Sequence, residues 1–231
     1  MNYFVTGTDT DSGKTLVTSA LLYKMGQSQA YGRTLGLKPV ASGCEQTELG
    51  LRNCDALALI EQSSIALEYE LVNPLSFLPA IAPHIAASQA GVDISPGTIQ
   101  AKIQQSLVAA ELNETDVCLI EGAGGWRLPL GEGQFLSEVV QDINMPVILV
   151  VGVKLGCLNH AVLTHEAIIA DGLTVAGWVA NIVEPQTSCL DENLASLHQL
   201  MPSPCLGMVP YLSEVSAKAA AEHLSLTALL A

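Results

Sequence analysis

Two lysines, a threonine and two carboxylates fall at places in this chain where together they could handle phosphate. The first group sits in "VTGTDTDSGKT", residues 5–15. A turn that joins a strand to a helix points backbone N–H groups and the positive end of the helix dipole at one spot, which suits phosphate. Lys14 is placed to reach β- and γ-phosphates, and Thr15 to offer its hydroxyl to a magnesium ion. The strict pattern G-x-x-x-x-G-K-[ST] is stretched by one residue, because Thr8 to Ser12 separate Gly7 from Gly13. The competing explanation is that "SGKT" merely starts a capped helix.

Three more groups stand at strand ends, where such a site would collect its ligands. Lys38 lies in "GLKPVASG", Asp55 begins the helix of "NCDALALIEQ", and Glu121 ends "VCLIEG". Octahedral magnesium takes a hydroxyl and one or two carboxylates beside nucleotide phosphates, so these are the right donor types. Taken singly, Asp55 and Glu121 read equally as a solvated helix-start carboxylate and a strand-end charge, and Lys38 as a surface lysine. The loop also carries Asp9 and Asp11, acids in a place that should attract anions. A second helix start, "KLGCLNH" at 154–160, offers another anion site at Gly156, Cys157 and Asn159, unless it is an ordinary strand-to-helix turn. His160 and His165 are poorly spaced to share a metal on one helix face, so they read as surface or core residues.

The elements that must position these groups alternate along the chain. "NYFVTG" (2–7) predicts a strand, and the residues after it a helix with Leu16, Ala20, Leu21 and Met25 at helical spacing. "TLGLKPVAS" (34–42) predicts a second strand stopped by Pro39, 53–62 a short helix, and 95–112 a longer one with Ile99, Ile103, Leu107 and Ala110 on one face. The apolar runs at 115–125, 145–156 and 173–183 are expected of strands covered on both faces. Helices at 158–172 and 189–201 and a short strand in "PCLGMVPYL" complete the pattern, and the proline-rich 73–84 reads as an irregular loop suited to a lid or a subunit contact. Strands alternating with helices at this spacing specify an α/β fold, a mostly parallel sheet with helices on both faces, with the ligand beyond the carboxyl ends of the strands. One domain over 1–231 is expected, and 49% apolar composition is ample for its core.

A formal charge of −14 opposes non-specific contact with nucleic acid or anionic lipid. Neither is expected as a partner. No C-x-x-C spacing occurs among the 6 cysteines, which read as free thiols of a reducing compartment. "MNYFVTG" lacks the form of a signal peptide and "MPVILVVGV" is too short to span a bilayer, so a cytoplasmic location is expected.

"GTDTDSGKT", "GLKPVASG", "RNCDALAL", "EGAGGW", "VILVVGVKLGCLNHAVLT", "AGWVAN" and "VPYL" appear in an order and spacing that resemble the dethiobiotin synthetase family over essentially the whole chain. The resemblance implies a single-domain P-loop fold related to the nucleotide-switch ATPases. It implies closure of the ureido ring of dethiobiotin from 7,8-diaminononanoate, CO2 and ATP with Mg²⁺, in biotin biosynthesis, by a homodimer. Lys14 should bridge phosphates and carbamate, and Lys38 should be the catalytic lysine. Thr15, Asp55 and Glu121 should hold Mg²⁺, and Thr10 and Ser42 should touch the substrate. The nucleotide should lie along Asp11, Ser12, Gly13, Lys14, Thr15 and Leu16 and along Glu121, Gly122, Ala123 and Gly124. Asn181, Ile182, Pro210, Tyr211 and Leu212 should surround adenine. The family often has Glu and a small apolar residue where this chain reads Asp11 and Ser12.

A site that holds both a diamine and a triphosphate needs negative groups beside positive ones, which gives Asp9 and Asp11 a purpose. The alternative for Asp9 is an Asx-type brace of the loop. A partitioning or division switch ATPase is the rival of another class, but it would carry an extra lysine early in the loop, where Thr8 and Asp9 stand. An amidating corrinoid ligase would need a glutaminase domain for which the chain has no room.

Overall fold

The computed structural model describes residues 1–230. From the N-terminus the chain runs β1 (Asn2–Gly7), α1 (Lys14–Gly26), β2 (Thr34–Leu37), β3 (Val40–Ser42), β4 (Glu45–Thr47), β5 (Gly50–Arg52), α2 (Cys54–Gln62), α3 (Tyr69–Val72), β6 (Leu75–Phe77), α4 (Pro83–Ala90) and α5 (Pro96–Ala110). It continues with β7 (Val117–Gly125), β8 (Pro129–Gly131), β9 (Gln134–Phe135), α6 (Leu136–Asp142), β10 (Val147–Val153), α7 (Cys157–Ala170), β11 (Val175–Ile182), α8 (Leu190–Leu200), β12 (Cys205–Val209), α9 (Ala217–Ala221) and a closing 3-10 turn at Thr227–Leu229.

The main sheet has 6 strands in the order β12-β11-β10-β1-β7-β2. Every pairing in it is parallel. Alternate residues of each strand enter opposite cores, as the pleat requires. Tyr3, Val5, Leu119, Ile148 and Val150 pack with Val17, Leu21 and Met25 of α1. Phe4, Cys118, Ile120, Leu149 and Val151 pack on the other face with Ile99 and Ile103 of α5 and Ala161 and Ile168 of α7. The buried stripe of α1 thus passes through Val17 rather than the expected Leu16, which is half-buried.

β1 is central, and the chain leaves it toward β2 on one side and later fills β10 on the other. That reversal puts the carboxyl end of β1 at a topological switch point, where open α/β sheets bind ligands. Two local expectations need correction. The segment 34–42 divides at Lys38–Pro39: Thr34–Leu37 joins the main sheet, while Val40–Ser42 pairs separately with β6. The proline ring supplies no N–H for a ladder, so the strand cannot continue through it. Residues 73–84 are not irregular throughout, since they contain β6 and the start of α4.

Away from the site, Asp116 ties the β2 and β7 starts together. Its side chain is buried and accepts from the Arg33 guanidinium at 2.6 Å, from Arg33 N at 2.7 Å and from Asn113 N at 3.0 Å. Arg33 holds the carboxyl down at about 2 against an ordinary 3.8. Because the folded pKa is the lower one, the stabilisation is complete above the ordinary carboxylate range and is lost as pH falls toward about 2. The difference in melting temperature between wild type and Asp116→Asn is therefore expected to be steady above about pH 5 and to close on acidification. Thermal melts across that range check it, and a pH-independent difference refutes it.

Candidate active site

The strand β1 ends in Gly7, and Thr8 N donates to Val150 O at 3.0 Å, which carries the loop onto the β10 side of the switch point. Asp11 and Gly13 both take left-handed backbone, with φ of 59° and 83°. Gly13 admits no alternative, because a methyl group there would lie 2.0 Å from Asn181 Nδ2. Asn181 is buried and donates to Ser12 O at 3.0 Å, so the first role the structure gives it is to brace the loop from β11. The Ser12 hydroxyl is buried without a hydrogen-bond partner among the described residues, so its position serves through the backbone. Lys14 begins α1, and its ammonium donates to Asp9 O at 2.9 Å. Burial, and then the neighbouring Lys38 ammonium, bring the Lys14 pKa down to about 8 against the pull of Glu121, Asp55 and Asp11.

Lys38, Asp55, Glu121 and Thr15 converge. Lys38 follows β2, Glu121 lies in β7, and β2 and β7 are adjacent strands, which brings together residues 83 apart in sequence. Lys38 Nζ lies 2.6 Å from Glu121 Oε1 and 3.1 Å from Asp55 Oδ2, and also donates to Gly122 O at 3.0 Å. Thr15 Oγ1 donates to the same Glu121 Oε1 at 2.8 Å. Burial opposes the Lys38 charge, but Glu121 and Asp55 outweigh it and raise its pKa above the ordinary value. Burial would likewise raise Asp55, yet Lys38 brings it below the carboxylate range. The charged form of Lys38 is therefore favoured, and two carboxylates hold it in place. Glu121 is 0% exposed and its second oxygen, Oε2, has no hydrogen-bond partner among the described residues. A buried carboxylate oxygen left in that state calls for a cation or a donor.

Lys38, Asp55 and Thr15 line a cleft of about 800 Å³, and Glu121 is joined to it through its bonds to Lys38 and Thr15. Thr10, Asp11, Ser42, Ala123 and Gly124 border it as well. An apolar wall comes from Ala41, Leu128 and the Ala80–Pro83 segment, so the stretch first read as a loop supplies part of the site. Sequence reasoning missed that wall. It also missed the network that fixes Lys38: Asn73 Nδ2 donates to Lys38 O at 2.6 Å, Tyr69 Oη to Asn73 Oδ1 at 2.8 Å, and Asn53 N to Tyr69 Oη at 2.7 Å. Only Asn53 had a local signal, as the cap of α2, where its side chain accepts from Ala56 N.

The two loop acids separate. Asp9 accepts from Thr10 N at 2.8 Å and sits 3.5 Å from Lys154 Nζ, and it is not among the residues that border the cleft. Asp11 borders the cleft and is exposed. A second cavity of about 640 Å³ shares Thr15 and Asp55 with the first and is walled by Leu16 and by Val215–Lys218. Ile182 is buried, while Tyr211 is exposed and Pro210 and Leu212 are half-buried just before that wall. Gly156, Cys157 and Asn159 do not border the cleft. Gly156 caps α7 with φ 93°, the Cys157 thiol is buried, and Asn159 is exposed beside Leu155, which is 98% exposed. No helix among the described residues is long and apolar enough to cross a membrane.

Comparison with known proteins gives a consistent result. A family model described as "AAA domain" matches residues 1–219. The chain is 53% identical over 224 residues to "ATP-dependent dethiobiotin synthetase BioD" of Pseudomonas aeruginosa (strain UCBPP-PA14), covering 97% of this chain and 96% of that one. It is 52% identical over 229 residues to the protein of the same name from Cellvibrio japonicus (strain Ueda107), covering 99% and 97%. Among solved structures it is similar to the MinC:MinD cell division protein complex of Aquifex aeolicus, with a TM-score of 0.57 at 12% identity over 95% of this chain and 86% of that one. That likeness establishes the α/β P-loop architecture and nothing finer.

Proposed function

This chain belongs to the ATP-dependent dethiobiotin synthetase family, ligases of biotin biosynthesis, and from that membership we propose which of its residues carry each part of the reaction. The observation that supports the assignment most is the polarity of the cleft. Its lining combines the loop, Lys14, Lys38, Asp11 and Asp55 with an apolar wall that a triphosphate does not need but an alkyl chain does. A diaminononanoate lying along that wall brings its two amines toward the phosphate end. A switch ATPase, the rival reading, has no use for such a wall.

One amine captures CO2 as a carbamate, whose oxygen attacks the γ-phosphate of ATP to give a carbamic-phosphoric anhydride and ADP. The second amine then closes the ring and expels phosphate. Each step moves negative charge between oxygens, so fixed cations do most of the work. Lys14 exchanges the carbonyl of Asp9 for phosphate oxygens. Lys38, aimed by Glu121, Asp55 and Gly122, stabilises charge on the carbamate and the migrating phosphoryl group. Thr10 and Ser42 contact the substrate. Thr15, Asp55 and Glu121 fit Mg²⁺, since the orphaned Glu121 Oε2 and the Thr15 hydroxyl form the donor set such an ion takes. When bound there, the ion would supply charge neutralisation for the nucleotide's phosphates. Gly122, Ala123 and Gly124 flank the phosphates, and the base lies toward Asn181, Ile182 and Pro210–Leu212 past the second cavity.

Asp11, not Asp9, meets the substrate ammonium. With purified protein, Mg-ATP and bicarbonate, ADP release is expected only when 7,8-diaminononanoate is present, with ring-closed product in matching amount. Asp11→Asn is expected to raise the KM for the diamine about tenfold, on the scale of losing one charge-assisted contact, while the KM for ATP stays near wild type. Diamine-independent ADP release would favour the switch reading, and equal effects on both KM values would reject Asp11.

The carboxylate tail is received by the α7 start of a second copy, through the Gly156 and Cys157 amides and Asn159. The absence of those groups from the cleft of their own chain and the exposed Leu155 and Leu163 beside them support a homodimer. Leu155→Glu is expected to give a monomer by sedimentation with a raised diamine KM. A monomeric wild type with full diamine affinity would rule this out.

A further inference from the structure

Asp171 touches no residue assigned a role above, yet its carboxylate, 12% exposed, accepts three hydrogen bonds from two consecutive residues. Trp126 Nε1 donates to Oδ2 at 2.7 Å, Arg127 Nη1 to Oδ2 at 2.6 Å and Arg127 Nη2 to Oδ1 at 2.7 Å. Arg127 Nη1 also reaches Ser137 Oγ at 2.8 Å, tying the pair to α6. Closing α7 does not require this side chain. The backbone N–H of Asp171 caps the helix on Ala167 O and Ile169 O, and Gly172 makes the left-handed turn at φ 80°.

The two donors follow directly on Gly122–Gly125, a run almost without side chains of its own to hold it. The buried Trp126 ring meets Phe4 edge-on, with centroids 6.2 Å apart at 73°. Phe4 in turn packs against Gly122, where a methyl group would come within 2.9 Å of its Cζ. Gly122 O is an acceptor of Lys38. A packed path therefore runs from Asp171 through Trp126, Phe4 and Gly122 to the Lys38 ammonium.

We propose that Asp171 is a positioning residue: by clamping Trp126 and Arg127 it holds the glycine run, and so the Gly122 carbonyl, where it keeps Lys38 aimed. This rests on the reading of Lys38 as the cation that stabilises the migrating phosphoryl group. Lys38 interacts most strongly when charge develops in the transition state, whereas ATP is held by the loop amides. A loosened clamp therefore acts on kcat and spares the KM for ATP.

The test compares Asp171→Asn, Trp126→Phe, Lys38→Ala and the Lys38→Ala/Asp171→Asn double variant, at a temperature where circular dichroism shows each to be folded. Asp171→Asn is expected to lower kcat by about 10- to 100-fold, the scale of a small misplacement at a reacting centre. The KM for ATP should stay within about twofold of wild type. Trp126→Phe, which removes the indole N–H together with part of a buried ring that packs on Phe4, should lower kcat in the same sense. The double variant should be no slower than Lys38→Ala alone, because Asp171 acts through Lys38. A lowered melting temperature with unchanged kcat, or a loss that multiplies on the Lys38→Ala background, overturns the proposal. Wild-type turnover by Lys38→Ala removes the reading of Lys38 and the proposal with it. A dead Lys38→Ala beside an unimpaired Asp171→Asn removes the proposal alone.

Discussion

Lys38→Ala lowers kcat by at least about 100-fold, a loss of about 2.7 kcal/mol or more in transition-state stabilisation, the scale of removing one preorganised charge-stabilising donor. The effect is large because the ammonium is preset. Glu121, Asp55 and Gly122 hold it at 2.6, 3.1 and 3.0 Å, so little reorganisation is needed as charge moves onto the phosphoryl oxygens. ATP binding suffers less, since the loop from Gly13 to Leu16 presents its amides independently of Lys38. The substitution also leaves the Glu121 carboxylate buried without its cation, so turnover is compared at a temperature well below the variant's melt. Single-turnover measurement of ADP formation separates chemistry from release. Turnover within tenfold of wild type would falsify the assignment of Lys38.

Glu121→Gln keeps the shape of the side chain and removes its charge, and its largest expected effect is on stability. Taking one partner from a buried ion pair costs about 3–5 kcal/mol. The low end applies here, about 3 kcal/mol, because Asp55 and the Gly122 carbonyl still face Lys38. For a chain of this length that corresponds to a fall in melting temperature of about 6–12 °C. The same change removes an anionic oxygen from the Mg²⁺ donor set, so the Mg²⁺ concentration for half-maximal rate rises by more than about tenfold, the cost of losing a charge-assisted ligand. Differential scanning calorimetry and a Mg²⁺ titration of the initial rate read the two effects separately. A variant as stable as wild type would show that Glu121 is not the main counter-charge of Lys38. Unchanged Mg²⁺ dependence would remove it from the donor set.

The parts of the site that were legible in the sequence are those with local chemistry. Lys14 and Thr15 announce themselves because a glycine-rich turn between a β-branched run and an amphipathic run is a short-range pattern. Glu121 and Lys38 were visible only as charges at the ends of apolar runs; the family likeness implied a separate role for each, and the ion pair between them appears only in the structure. Tyr69 and Asn73 gave no signal, since a hydrogen bond to the Lys38 carbonyl depends on a contact between segments 35 residues apart. The apolar wall at Ala80–Pro83 was hidden for a different reason: a proline-rich stretch has no periodicity to show which side it buries.

By itself the sequence determined the six strands of the main sheet and the longer helices between them, the glycine-rich loop after the first strand, and the excess of acid over base, because periodic burial, turn residues and composition are properties of neighbouring residues. Tertiary structure alone decided that β1 stands between β10 and β7, which brings Glu121 level with Val5 and within reach of Thr15 and Lys38. It also decided between the two loop acids, giving Asp9 to Lys154 and Asp11 to the cleft. The two carry the same charge in the same loop. Their difference is one of direction, set by the left-handed turn at Asp11 and by the strand that lies beside it, and direction exists only once the chain has folded.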